Sequence, residues 1–215
     1  MLTMSKQSGS GSLELVTPAT TPLVTVAEMK AHGRHDTIPE GDDFMEALVE
    51  AATARAQDIT RRAFLTETWR LTMDNWPYDI ELPRSPAIEA AANLITGIAY
   101  ITPRIRYYDG DGNQQTMTYA ANDFEILLDN NPPLLVLPPS GMWPITYPLQ
   151  RGAIEIDWIA GYGSASTGIP QLLRLAIMML VAHWYEHREA VGSFGSEVPL
   201  AVDSVLRLYS DGGYS

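Results

Sequence analysis

Hydrophobic positions along the chain pass through three regimes: helical spacing near the start, two-residue alternation through the middle, and a nearly continuous apolar run toward the end. Thr25 stands where it can cap a short helix over 26–32, with Glu28 in its first turn and Gly33 closing it. After Pro39-Glu40-Gly41, Asp42 and Asp43 open a longer helix in which Phe44, Leu48, Ala51, Ala52, Arg55 and Ile59 recur at helical spacing. Ala47, Ala51, Ala52, Ala54 and Ala56 admit the close approach of a second helix, and Arg61 and Arg62 match the negative end of the helix dipole.

From Thr66 the period shortens to two, since Trp69, Leu71 and Met73 alternate with Thr68, Arg70, Thr72 and Asp74 as in a half-buried strand. Asn75-Trp76-Pro77-Tyr78 turns the chain, and residues 80–82 form a short strand ended by proline. Segments 105–108 and 115–119 flank Asp109-Gly110-Asp111-Gly112-Asn113, a hairpin signal because Gly, Asn and Asp tolerate the positive φ of such turns. A second hairpin is expected where 124–128 and 134–137 bracket Asn130-Asn131-Pro132-Pro133. The proline-dense stretch 138–148 reads as a constrained loop. Segment 153–159 returns as a strand alternating Ile154, Ile156 and Trp158 with Glu155 and Asp157, and Gly161-Tyr162-Gly163 ends it as a linker.

Pro170 sits at a helix start, and 171–190 contains no helix breaker. Leu172, Leu173, Leu175, Ala176, Ile177, Met178, Met179, Leu180, Val181, Ala182, Trp184 and Tyr185 leave this helix almost no polar face. It therefore needs cover on more than one side, part of it from another subunit. A short amphipathic helix follows over 198–209. The expected fold class is α+β: a bundle of N-terminal and C-terminal helices with an inserted antiparallel β-rich module of hairpins. The boundaries are a flexible, Ser-Gly-rich arm over 1–23, the helical bundle over 24–65 and 168–210, the β-rich insertion over 66–167 and a tail over 211–215.

The 215 residues suffice to bury a core, and 46% apolar against 19% charged residues is the composition of a folded chain rather than a disordered one. A net charge of -12, spread over all three parts, argues against a phosphate-clamping surface. The absence of cysteine removes disulfides, thiol nucleophiles and Cys-based metal sites, and fits a reducing interior. The longest purely apolar run, 175–182 between Arg174 and His183, falls far short of the roughly 20 residues that cross a bilayer, so no membrane partner is expected, and no export signal is read at the start.

Candidate chemistry is sparse. His183-Trp184-Tyr185-Glu186-His187 matches the H-x-x-E-H pattern of inverted zinc peptidases, in which two histidines share a helical face and a carboxylate activates water. The third ligand would have to be Glu189, Glu197 or Asp203, and the competing reading is a solvated helix end. Asp109, Asp111 and Asn113 mimic the opening of a calcium loop, but Gln114 and Ala120 stand where that loop needs its glycine and its bidentate glutamate, which favours a plain turn. Gly192-Ser193-Phe194-Gly195 lacks phosphate-loop spacing, no serine lies in G-x-S-x-G, and Asp42/Asp43 are dipole partners rather than an acid/base pair. Trp69, Trp143 and Trp158 are expected to fill core. No catalytic residue, metal or cofactor is assigned. The rivals from other classes are a small metal-dependent hydrolase on His183, Glu186 and His187, and a monomeric peptide- or glycan-binding module around Trp143.

The order of parts resembles the tailed-phage head-tail connector (adaptor) family, which also occurs in gene transfer agents and prophages. The resemblance is carried by Val26-Ala27-Glu28-Met29-Lys30, Asp42-Asp43-Phe44 opening a helix that ends Thr60-Arg61-Arg62, Thr68-Trp69, and Leu82-Pro83-Arg84-Ser85-Pro86. It continues through Tyr107-Tyr108-Asp109-Gly110-Asp111-Gly112, Trp158-Ile159-Ala160-Gly161-Tyr162-Gly163, Ile169-Pro170 leading to Ala176-Ile177, and Trp184-Tyr185-Glu186-His187-Arg188-Glu189. It runs from about residue 24 to 210. One departure is 89–102, longer and richer in Ala and Ile than a tight join, and read as an extra helix or loop. The resemblance implies a non-enzymatic structural subunit of the virion neck at the portal vertex, assembled in the host cytoplasm. Its copies would form a homo-oligomeric ring, commonly of twelve, that joins the portal protein to a tail-side stopper or tail protein. Genomic DNA would pass through the lumen without specific binding. The subunit or portal interface is expected to use Leu173, Ile177, Met179, Trp184, Tyr209 and Tyr214.

Overall fold

The computed structural model describes residues 11–33, 41–87, 90–95, 98–118, 123–146, 151–187 and 198–211. Helix and antiparallel sheet are combined in an α+β chain that divides into two compact units. One comprises residues up to 18 together with 67–160; the other comprises 19–66 and 161–215.

The first unit is built on a five-stranded antiparallel sheet in the order β1-β2-β10-β6-β7: β1 Gly11–Thr17, β2 Glu67–Met73, β10 Ile154–Ala160, β6 Arg104–Tyr108 and β7 Gln114–Thr118. Alternation sets its register. Leu13, Leu71, Ile156, Ile105 and Met117 pair in one line across all five strands, and one residue away Glu14, Arg70, Asp157 and Arg104 form a parallel line that alternates in charge. A one-residue slip would exchange the two lines, placing arginines in the core and leucines among carboxylates. Ile105, Ile154, Ile156 and Trp158 are almost wholly buried on the apolar side. A three-stranded sheet in the order β3-β9-β8 joins β3 Ile80–Glu81 to the hairpin of β8 Glu125–Leu127 and β9 Leu134–Val136, whose Leu135 is fully buried.

Two expectations are corrected in this unit. Residues 11–17, taken as part of a flexible arm over 1–23, form edge strand β1. Leu13 and Leu15 alternate with Ser12 and Glu14, a period too short to stand out behind Ser-Gly repeats but sufficient once β2 offers a partner. The stretch 89–102, read as a helix or loop, supplies the antiparallel pair β4 Ala90–Ile95 and β5 Ile98–Thr102. Alanine content favoured helix there, whereas Ile98, Tyr100, Ile101 and Thr102 carry the β-branched and aromatic shapes that favour a strand.

Among the described residues the second unit holds four α-helices: α1 Val26–Gly33, α2 Asp42–Thr60, α3 Gln171–Glu186 and α4 Leu200–Leu208. The expected helix over 171–190 is helical to Glu186, and 188–190 lie outside the described residues. Thr25 and Glu28 make a reciprocal capping box: the Thr25 N–H donates to Glu28 Oε2 at 2.8 Å, and the Glu28 N–H to Thr25 Oγ1 at 3.2 Å. The Thr25 N–H bond, and then Arg174 of α3, hold the Glu28 carboxyl below its ordinary pKa, and the Arg174 pair ties α1 to α3. Ala52 and Ala56 of α2 are fully buried, and α3 packs against α2, α4 and α1. The α2 C-terminus ends on Arg61 in the left-handed region, φ 57°. Beside it the Asp211 N–H donates to Thr60 O at 2.9 Å, while Arg62 pairs with Asp211 and donates to the Tyr162 hydroxyl, each at 2.9 Å.

Gly161-Tyr162-Gly163, expected to be a linker, is a tight crossing. The Tyr162 N–H donates to Phe64 O and the Thr66 N–H to Gly163 O, each at 3.0 Å, so segments 64–66 and 161–163 are laced together. A Cβ on Gly161 would lie 2.2 Å from Leu65 O, and its φ of 126° disfavours any side chain. Gly161→Ala is expected to cost about 3 kcal/mol or more, read as a lowered urea midpoint, because backbone rather than a pliable side chain must move.

Candidate functional site

The chemistry of the site begins with α3, since a helix this apolar decides what the rest of its unit can do. Its Leu173, Ala176, Ile177, Leu180, Val181 and Trp184 all face the core shared with α1, α2 and α4. Of the residues expected at an interface, Leu173 and Ile177 are 0% exposed and Trp184 is buried. Their apolar surface is therefore satisfied inside the chain. Met179 is exposed, Tyr209 is half-buried against the core, and Tyr214 lies outside the described residues. On α3 the unsatisfied surface is a stripe of which the expectation named only Met179: Leu172, Leu175 and Met179, spaced i, i+3 and i+7, are each about 40% exposed. The sequence signal for it was present, because a helix apolar all round must have an outer face as oily as its inner one.

The H-x-x-E-H segment occupies the last turn of α3. The His183 and His187 rings lie 4.4 Å apart, tilted by 34°, and His187 Nδ1 stands 2.9 Å from the His183 carbonyl oxygen. That nitrogen serves the helix end. Among the described residues no group of three or more His, Asp or Glu could hold a metal ion. Asp203 pairs with Arg207 at 2.6 Å in α4, while Glu189 and Glu197 lie outside the described residues. An open groove of about 480 Å³ between α2 and α4 is lined by Arg55, Ile59, Leu200, Asp203 and Arg207. It offers mixed polarity, its one carboxylate, Asp203, is paired with Arg207, and as an open groove it resembles a contact surface more than a reaction chamber.

In the β-rich unit the Asp109 carboxylate accepts the N–H groups of Asp111 at 3.0 Å and Asn113 at 2.9 Å, and the Gln115 amide at 2.8 Å. The Gln115 bond, then the backbone donors, lower its pKa. Its oxygens thus close the β6–β7 turn instead of opening toward an ion, as the turn reading expects. Asp157, 4% exposed, receives Arg70 through two bonds at 2.7 and 3.2 Å and Arg106 at 3.1 Å. Arg106 also reaches Glu155 at 2.7 Å. The Asp157 bonds raise the Arg70 pKa above its ordinary value, and the cluster is an internal charge lattice with no free nucleophile.

The aromatic residues separate into two groups. Trp158 is buried as expected; Trp69 is half-buried with the Arg84 guanidinium 5.0 Å above its ring. Trp143, expected in the core, instead stacks on Trp76 with centroids 4.6 Å apart and rings 1° from parallel, and Trp76 meets the Tyr107 ring edge-on at 5.9 Å. Pro138–Pro144 carries too many prolines to join a sheet, so this loop folds outward onto the 74–78 turn and leaves its indole half-buried.

Together these features define an α+β chain whose conspicuous surfaces are apolar and whose polar clusters are internally paired. Neither a protein-family model nor a curated protein matches the sequence. Among solved structures that share the fold is a chain from the neck of an empty gene transfer agent (GTA) particle, computed with C6 symmetry. It is 24% identical with a TM-score of 0.70, covering 93% of this chain and 95% of that one. A chain from the virion of a native GTA particle is 22% identical, TM-score 0.70, covering 92% and 94%. A third, from the neck of a native GTA particle computed with C12 symmetry, is 21% identical, TM-score 0.68, covering 93% and 94%. The resemblance read from the sequence is thus matched, at the level of fold and over nearly the whole chain, by chains of such particles.

Proposed function

We propose that this chain is a non-enzymatic structural subunit of the neck of a phage-like particle, an adaptor whose copies form a ring. The ring joins the portal protein to a tail-side stopper or tail protein and leaves a lumen through which DNA passes unheld. The observation that carries this reading is the fold shared over more than nine-tenths of both chains with subunits of GTA neck assemblies. The α3 stripe gives it a physical basis: Leu172, Leu175 and Met179 gain from burial against a neighbouring copy what they lack in the single chain. In this reading the helical unit supplies copy-to-copy and portal contacts, with Tyr209 and the C-terminal residues through Tyr214 toward the portal, and the β-rich unit supplies docking loops. A net charge of -12 suits a channel wall along which phosphate is not retained.

Imaging of assembled particles by cryo-electron microscopy tests the reading. The expected result is a ring of this chain beneath the portal, with α3 at the contact between copies. Particles whose neck lacks the chain, or a purified monomer that turns over a substrate, would overturn it.

A further inference from the structure

We propose that the aromatic tip of the β-rich unit is a docking surface for a protein segment that presents apolar side chains flanked by lysine or arginine. Three large side chains stand almost free of the chain there: Tyr78 is 90% exposed, Met142 88% and Ile145 82%. They belong to two loops, 74–79 and 138–146, held to each other by the Trp76–Trp143 stack and by the Trp143 indole N–H donating to Tyr78 O at 3.4 Å. Loop 138–146 is further fixed at both ends. The Gly141 N–H closes a turn onto Pro138 O at 2.8 Å, and Thr146 bridges Asp109 of the β6–β7 turn. Little ordering entropy is then lost when a partner arrives, so the apolar area is available for affinity.

Charge chooses the partner. Residues 74–81, 107–113 and 138–146 contain Asp74, Asp79, Glu81, Asp109 and Asp111 and no lysine or arginine. Asp74 is engaged by the Gly152 N–H at 2.7 Å, and the arginines nearest these segments along the chain are held elsewhere: Arg70 and Arg106 by Asp157, and Arg84 over the Trp69 ring. Exposed aromatic and aliphatic side chains could in principle stack on bases or enter a bilayer. A rim of carboxylates repels nucleic-acid phosphate and anionic headgroups, and attracts a polypeptide whose own rim is cationic. The inference rests on residues of one unit and holds whether or not copies of the chain form a ring.

The test uses the full chain and a short synthetic peptide alternating leucine with lysine, alongside its counterpart with glutamate in place of lysine. Amide hydrogen exchange is expected to show protection of 74–79 and 140–146 by the lysine peptide and none by the glutamate peptide. Tyr78→Ser/Met142→Ser/Ile145→Ser, which leaves circular dichroism unchanged because the three side chains touch so little of the fold, is expected to weaken binding by about tenfold or more. Asp79→Asn/Asp111→Asn is expected to weaken it about threefold at low salt, with the difference vanishing at high salt. Equal binding by the triple variant would overturn the proposal, as would protection mapped elsewhere. So would a concentration-dependent dimer abolished by the same three substitutions, which would make a second copy the occupant, or binding of DNA or anionic vesicles through this tip.

Discussion

Leu173→Asp is expected to abolish folding, whereas Leu175→Asp/Met179→Asp is expected to leave the fold intact and abolish assembly. The three positions sit on the same helix within two turns of each other, and the variants charge opposite faces of it. Leu173 is 0% exposed, so an aspartate there would be a buried charge without a partner, costing about 4 kcal/mol or more and removing the cooperative thermal transition. Leu175 and Met179 are each 40% exposed, and charges at such positions alter monomer stability by about 0.5 kcal/mol. If the stripe joins neighbouring copies, two carboxylates in each contact weaken association by roughly 100-fold, an effect that a closed ring multiplies. Thermal melting separates the fold effect, and incorporation into particles separates the assembly effect. Wild-type incorporation of the double variant would remove α3 from the copy-to-copy contact.

Asp157→Asn is expected to destabilise the β-rich unit by about 2–3 kcal/mol, the largest loss from any single polar change in it. The substitution is nearly isosteric, so packing is preserved while the charge between Arg70 and Arg106 disappears. Arg106 retains Glu155 at 2.7 Å, but an amide keeps a single acceptor oxygen, so Arg70 loses one of the two bonds that fix its guanidinium and the other loses its charge. Stranding one member of a buried pair costs about 3–5 kcal/mol, and the value is reduced here because the Arg70 side chain is 26% exposed and water recovers part of the loss. Urea unfolding of Asp157→Asn, Arg70→Met and the double variant gives the coupling directly. A double variant as unstable as the sum of the two singles would show that Arg70 and Asp157 do not act together.

Much of this architecture was legible locally. Thr25 and Glu28 announce the start of α1 because a capping box is a matter of four residues, and Asp109 through Asn113 announce a turn because few other residues accept that backbone. The alternation of Ile154, Ile156 and Trp158 with Glu155 and Asp157 is enough to specify a strand with two unlike faces. Less legible were β1 and the β4–β5 pair, since Ser-Gly repeats beside one and alanines in the other weaken the local signal that partner strands then override. The role of Gly161 was invisible, because nothing near it in sequence reveals that Leu65 O passes 2.2 Å from where a Cβ would stand. Of the surfaces, the sequence pointed to α3 and to the tryptophan loop, yet assigned Leu173, Ile177 and Trp184 outward and Trp143 inward.

By itself, then, the sequence determined which of the strongly periodic segments coil and which extend, where the hairpin turns fall, and that no thiol chemistry is present. Those properties depend on neighbours within a few positions, through helical or alternating period, caps and turn residues. Tertiary structure alone decided the strand order β1-β2-β10-β6-β7, the pairing of Arg70 with Asp157, and which side of α3 meets its own core. The reason is that periodicity orients an element only when its faces differ in polarity: Leu173 and Leu175 are chemically the same residue, and only the position of α2 and α4 makes one of them interior and leaves the other for a partner.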